Sequence, residues 1–173
     1  LPLTMPAGDV FTALQTGALD AAEFVGPYSD LSLGLYKVAK YYYTPGWNDP
    51  GSPLECLINQ QAYQRLPRDL QAVVTTACQA MNNDMLAEYT ARNAIALKTL
   101  VDDHGVKLSY LPNAVIDAVR DKTAQVLAEI AANNATTARV YAAYQKFAQQ
   151  VSGWTAVSDY AYLRARESSH HRS

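Results

Sequence analysis

Residues 68–104 contain neither glycine nor proline, and this uninterrupted stretch constrains the fold more than any other feature of the chain. Strands rarely exceed ten residues, so a stretch of this length reads as helix. Its apolar residues recur at Leu70, Val73, Val74, Ala77, Met81, Met85, Leu86, Tyr89, Ile95 and Leu100, a helical stripe. Pro67 stands where a first turn tolerates it, Asp69 lies near the positive end of the helix dipole, and His104-Gly105 closes the pattern. A second helical stretch begins after Pro112-Asn113 and carries Val115, Val119, Val126, Ile130, Val140, Tyr144 and Phe147. Asn133, Asn134, Thr136 and Thr137 are weak helix formers, and a kink or break is expected there. A terminal helix is expected over residues 154–166.

Upstream the pattern changes. Residues 1–55 are rich in glycine, proline and aromatics and form one segment, residues 56–167 a helical second, and residues 168–173 a tail. Residues 9–16 read as a short helix with Asp9 as N-cap and Gly17 as its stop. Residues 19–25 read as extended and residues 29–35 as a second short helix. Residues 35–44, with Tyr36, Val38, Tyr41, Tyr42 and Tyr43, favour a strand ended by Thr44-Pro45-Gly46. Trp47-Asn48-Asp49 opens a Pro/Gly-bounded loop. A helical segment is expected over residues 57–66, and residues 106–110 alternate with period two, as a short strand does. Two or three short strands do not make a stable sheet alone. Their partners are expected in an N-terminal portion preceding Leu1 or in another chain.

Composition narrows the classes of function. With 173 residues, 49% hydrophobic and 17% charged, the chain is long enough for a substantial core. A net charge of -2 and the absence of any lysine or arginine run argue against nucleic acid as a partner. No apolar run reaches the length of a membrane-spanning helix, and the first residues lack the pattern of a signal peptide. No GxSxG, HExxH, P-loop or GxGxxG occurs, so the expectation is a protein that is not an enzyme. Cys56 and Cys78 form no CxxC. Export would allow a disulfide between them, but Cys78 sits within an amphipathic helical pattern where a buried free thiol is expected.

The candidate chemistry lies in the first 51 residues. Glu23 stands among apolar residues, and on an extended segment with Ala21 and Val25 its carboxylate would face a core or cleft. A buried carboxylate needs a partner or a cation. Glu23 is therefore either a cation ligand at a sheet end, where open α/β folds bind ligands, or a solvated or salt-bridged acid. Trp47 could wall a small pocket, and Asp49 could join Glu23 around a hard cation such as Ca²⁺ or Na⁺; otherwise this loop is a surface turn.

The segment Phe11-Thr12-Ala13-Leu14-Gln15-Thr16-Gly17-Ala18-Leu19-Asp20-Ala21-Ala22-Glu23 resembles a motif of TRAP (tripartite ATP-independent periplasmic) transporter solute-binding proteins. Phe24-Val25-Gly26-Pro27-Tyr28-Ser29-Asp30, Gly34-Leu35-Tyr36-Lys37-Val38-Ala39-Lys40-Tyr41-Tyr42-Tyr43, Pro45-Gly46-Trp47, Leu66-Pro67-Arg68-Asp69-Leu70-Gln71-Ala72 and Met85-Leu86-Ala87-Glu88-Tyr89 are similar to the subgroup that binds 2-oxo and 2-hydroxy acids. The resemblance implies the C-terminal half of a two-lobed, periplasmic-binding-protein-like α/β fold, helix-rich with few short strands and long C-terminal helices. It implies non-catalytic binding of a small organic acid together with Na⁺ or Ca²⁺, delivery to a TRAP membrane permease, and a periplasmic location. The signal peptide and N-terminal half, with the arginine that clamps substrate, would precede Leu1. The resemblance makes Glu23, the Phe24 carbonyl and Asp49 cation ligands and puts Phe24, Trp47 and Asn48 beside the substrate. Phe24 stands where the family often has tryptophan, and Asp49 where it usually has glutamate. Some members dimerise through long C-terminal helices, so a homodimer is a further expectation. The alternative is a structural or dimerisation fragment that binds no ligand.

Overall fold

The computed structural model describes residues 2–47 and 54–168 and divides them into two compact units, Leu1–Leu111 and Pro112–Ser173. The change of composition near residue 55 falls inside the first unit.

In the first unit, α1 spans Ala7–Thr16 and buries Val10 and Ala13. Its N-cap is Pro6, whose carbonyl accepts the Asp9 N–H at 3.0 Å, so Asp9 lies in the first turn rather than at the cap. Gly17 ends the helix in the left-handed conformation at φ 75°, where a side chain would be strained. Residues 18–26 form no strand; they run irregularly to α2, Pro27–Ser32, which a 3₁₀ turn at Leu35–Lys37 follows. That turn starts from Gly34 at φ 71° and takes up the beginning of the expected strand. Strand β1 is therefore only Tyr41–Thr44. After residue 54 come α3, Gln60–Gln64, and α4, Arg68–Asp102, then β2, Lys107–Tyr110.

The strands pair with each other, which the sequence did not indicate. They run parallel, with Tyr41 opposite Lys107 and Thr44 opposite Tyr110. The Lys107 N–H donates to the Lys40 carbonyl and the Leu111 N–H to the Thr44 carbonyl, each at 2.8 Å, extending the ladder at both ends. A parallel pair needs a crossover connection, and α3 and α4 supply it.

The C-terminal half of α4 carries the core. Ala96 and Leu100 are buried there with Val10, Ala13, Leu35 and Val106, and Leu100 is 2% exposed. The buried face follows Met85, Tyr89, Asn93, Ala96 and Leu100, at helical spacing. Ile95, counted in the apolar stripe, is 68% exposed. His104, just past the helix, stacks on Tyr36 with ring centroids 3.8 Å apart, and Lys40 Nζ donates to its carbonyl at 3.2 Å.

The second unit consists of α5, Asn113–Ala132, α6, Ala135–Val157, and α7, Asp159–Ser168. The expected break is present. Asn134 caps α6, its Oδ1 accepting from the Thr137 N–H at 2.9 Å and hydroxyl at 3.0 Å. Helix α6 runs on through Trp154 to Val157, so the terminal helix starts later than expected. No residue of α5 or α6 is buried.

Candidate functional site

The expected ligand residues flank α2 and β1, and one buried carboxyl joins these two elements. Asp30, in the first turn of α2, is 6% exposed. Its Oδ2 accepts from the Tyr42 hydroxyl of β1 at 2.5 Å, and its Oδ1 accepts from the Gly26 N–H at 3.4 Å. Burial pushes the Asp30 carboxyl above the usual carboxylate range; the two donors pull it back, and the nearby negative charge of Glu23 pushes it up further. Burial and the Asp30 carboxyl hold the Tyr42 hydroxyl protonated far above the usual tyrosine range. Tyr42 therefore acts as a donor.

The entry to α2 is fixed by Asn93 from α4. Its Oδ1 accepts from the Tyr28 N–H at 2.9 Å, satisfying a free donor at the helix start. Gly26 has φ 151°, and a Cβ there would sit 3.6 Å from the same Asn93 oxygen. Tyr28 packs edge-on against Tyr89 at 5.7 Å between centroids, while Arg92, held by Glu88 at 2.6 Å, lies 5.3 Å over the Tyr28 ring. The Ser29 and Tyr89 hydroxyls share a hydrogen bond at 3.4 Å. Helix α4 thus fixes the end of the segment that carries Glu23 and Phe24.

Glu23 itself is exposed and Phe24 half-buried. The carboxylate does not point into a core within this chain, as an alternating strand would have it; the segment is irregular and carries it outward. No ion pair reaches Glu23 among the described residues, and Asp30 is close enough for the two charges to act on each other. An exposed, unpaired carboxylate beside a backbone carbonyl is a suitable donor set for one side of a hard cation. Among the described residues no three His, Cys, Asp or Glu side chains converge as a complete metal cage. Trp47 follows β1 through the cis Thr44-Pro45 bond and is 53% exposed. Asn48 and Asp49 lie outside the described residues. Tyr42 links the two halves of the constellation: it is five positions before Trp47 in sequence and bonded to the carboxyl that senses Glu23.

Asp30 and Asn93 were missed in the sequence. Asp30 sits in a Tyr-Ser-Asp-Leu run that looks like any helix start, and Asn93 is one polar residue in a long helix. An acid three residues into a short helix, with a tyrosine strand following, was the available signal for Asp30.

The profile of DctP, described as bacterial extracellular solute-binding protein, family 7, matches residues 1–134. The chain belongs to this family. It is 38% identical over 165 residues to the monocarboxylate 2-oxoacid-binding periplasmic protein of a Nostoc species, an alignment covering 95% of this chain and 45% of that one. A TRAP transporter solute-binding protein from Bordetella bronchiseptica superposes with a TM-score of 0.93 at 37% identity, over 99% of this chain and 51% of that one. Its crystal structure is a mixed-occupancy dimer with copurified calcium and picolinate in one active site and an apo second site. A TRAP periplasmic solute-binding protein from Colwellia psychrerythraea, with bound calcium and pyruvate, superposes with a TM-score of 0.89 at 37% identity, over 95% and 50% of the two chains. The present chain thus spans about half the length of the relatives it matches. Its helix-rich fold with a short two-stranded sheet is the fold of the corresponding part of TRAP solute-binding proteins.

Proposed function

We propose that the protein to which this chain belongs binds a 2-oxo or 2-hydroxy monocarboxylate together with a divalent cation, without catalysis, for TRAP-type uptake from the periplasm. The observation that carries this reading is the exposed Glu23 carboxylate, which no ion pair reaches among the described residues, on a segment whose end at Gly26 and Tyr28 is held by Asp30 and Asn93. Calcium with pyruvate or picolinate in the similar proteins supports Ca²⁺ over Na⁺ as the cation. Glu23 and the Phe24 carbonyl would hold the cation with Asp49, and Phe24, Trp47 and Asn48 would border the acid. The bound ion would supply positive charge to the substrate carboxylate, while Trp47 would shield that charge pair from water and strengthen it.

The partners in this reading are the acid, the TRAP permease subunits and a second copy of the protein. The last draws support from α6, where Val140, Tyr144 and Phe147 are all more than 60% exposed, and from the dimer formed by the Bordetella protein. Calorimetry on the full protein tests the core of the proposal. Pyruvate should release heat in calcium buffer and none after chelation. Glu23→Gln should weaken calcium-dependent binding about tenfold or more, a loss of about 1.4 kcal/mol. Equal heats with and without calcium, or no heat with any small oxo acid, would overturn it.

A further inference from the structure

The first unit contains an open cleft of about 940 Å³ between α4 and the segment that precedes it, lined by Cys56, Ile58, Tyr63, Val74, Cys78 and Asn82 among others. The α3–α4 hairpin that forms it is held by polar contacts. The Tyr63 hydroxyl donates to the Gln71 carbonyl at 3.3 Å and shares a hydrogen bond with Thr75 Oγ1 at 3.2 Å. Gln71 Nε2 returns two bonds, to the carbonyls of Tyr63 at 3.2 Å and Leu66 at 2.9 Å. Gln71, Thr75, Cys78 and Asn82 share one face of α4, at steps of four, three and four. The chain before Tyr63 runs back along that face. This brings Cys56 and Cys78 to line the same cleft, with the Cys56 side chain near enough to act on the Cys78 thiol. Both thiols are exposed, so Cys78 is not the buried thiol expected from the helical pattern.

We infer that Cys56 and Cys78 are a disulfide-forming pair, a modification site that fastens residues 54–59 to α4. The geometry favours a disulfide over a metal site, because no third His, Cys, Asp or Glu joins the thiols among the described residues. Desolvation by neighbouring atoms, followed by the Cys56 contact, pushes the Cys78 thiol up, leaving it poorer in thiolate. The thiolate of either cysteine, here Cys56, attacks one sulfur of an oxidant disulfide, a thiol–disulfide oxidoreductase or glutathione disulfide, and the other sulfur leaves as a thiolate. Cys78, deprotonated in turn, attacks the Cys56 sulfur of the mixed disulfide and expels the second thiolate. One S–S bond forms in the protein and one is lost in the oxidant. The two protein thiol protons end on the two released thiols. The closed ring joins positions 22 apart, and it fixes residues 54–59.

The inference rests on the periplasmic reading for its oxidant, since disulfides persist in that compartment. The test supplies the oxidant itself. Purified full protein, reduced and then incubated with glutathione disulfide, should lose both free thiols, fall in mass by two hydrogens and yield one proteolytic fragment linking Cys56 to Cys78. Reduction should lower Tm by about 5 °C or more. Cys56→Ser should leave Cys78 reactive and make Tm insensitive to reductant. Two separate glutathione adducts without a link, or thiols that both stay titratable, would overturn the pairing. A protein that pairs in vitro yet fractionates with the cytoplasm would overturn its location instead.

Discussion

Leu100 in α4 and Phe147 in α6 are both large apolar residues on long helices, yet the first is 2% exposed and the second 64%. The contrast extends to the whole of each unit. In the first, bonds reach far along the sequence: Asn93 to Tyr28, Lys40 to His104, β1 to β2. In the second, the side-chain hydrogen bonds on α5 and α6 among the described residues are local, three residues apart, and Val140, Tyr144, Phe147 and Trp154 face outward. Long-range polar bonds position groups in three dimensions, whereas local ones only support a helix. The proposed ligand residues accordingly belong to the first unit, and the exposed apolar side chains of the second suit it to meeting another surface.

The sharpest way to break this comparison is at its two apolar residues. Leu100→Ala should destabilise the full protein by about 3 kcal/mol in denaturant unfolding, because it empties a closed core. A loss below about 1 kcal/mol would mean that the core is not as tight as its burial implies.

Asp30 gives the next largest effect. Asp30→Ala leaves the Tyr42 hydroxyl and the Gly26 N–H without their acceptor and should cost about 2 kcal/mol. Asp30→Asn keeps an acceptor and isolates the charge. The sign follows from the raised native carboxyl. Its contribution to stability is fully present below the ordinary value of 3.8 and is lost as pH rises through the higher native value. Asp30→Asn should therefore flatten stability against pH across that acidic window, and its cost should be smaller at neutral pH than below 3.8. A steeper profile in the variant would reverse the assignment.

The smallest expected change in stability comes from the second unit. Phe147→Ser should alter thermal unfolding of the isolated protomer by less than about 0.5 kcal/mol while weakening self-association in sedimentation. A large loss of protomer stability would show that α6 is covered within one chain.

The same division explains what could be read from the sequence. Helix α4 was legible along nearly its full length, because a stretch without glycine or proline leaves few alternatives. The break before α6 was also legible, since asparagine and threonine cap helices with their own side chains. The sequence placed β2 to within a residue, yet not its parallel pairing with β1, because the pairing depends on where α4 returns the chain. For the site, the family pattern pointed to Glu23, Phe24 and Trp47. It gave no sign that Glu23 projects outward or that Asp30 and Asn93 hold its neighbourhood. Those roles arise from contacts 12 and 65 positions apart, and no local pattern encodes them.

The parallel β1–β2 pair also fixes an order of events. Tyr41 meets Lys107, 66 positions further along, so the tyrosine strand leaves the ribosome long before its only described partner exists. Until then its edge is open and the entropy of closing a long loop remains to be overcome. The first unit is therefore a late folder, gated by the last few residues of its own sequence and slowed by non-local pairing.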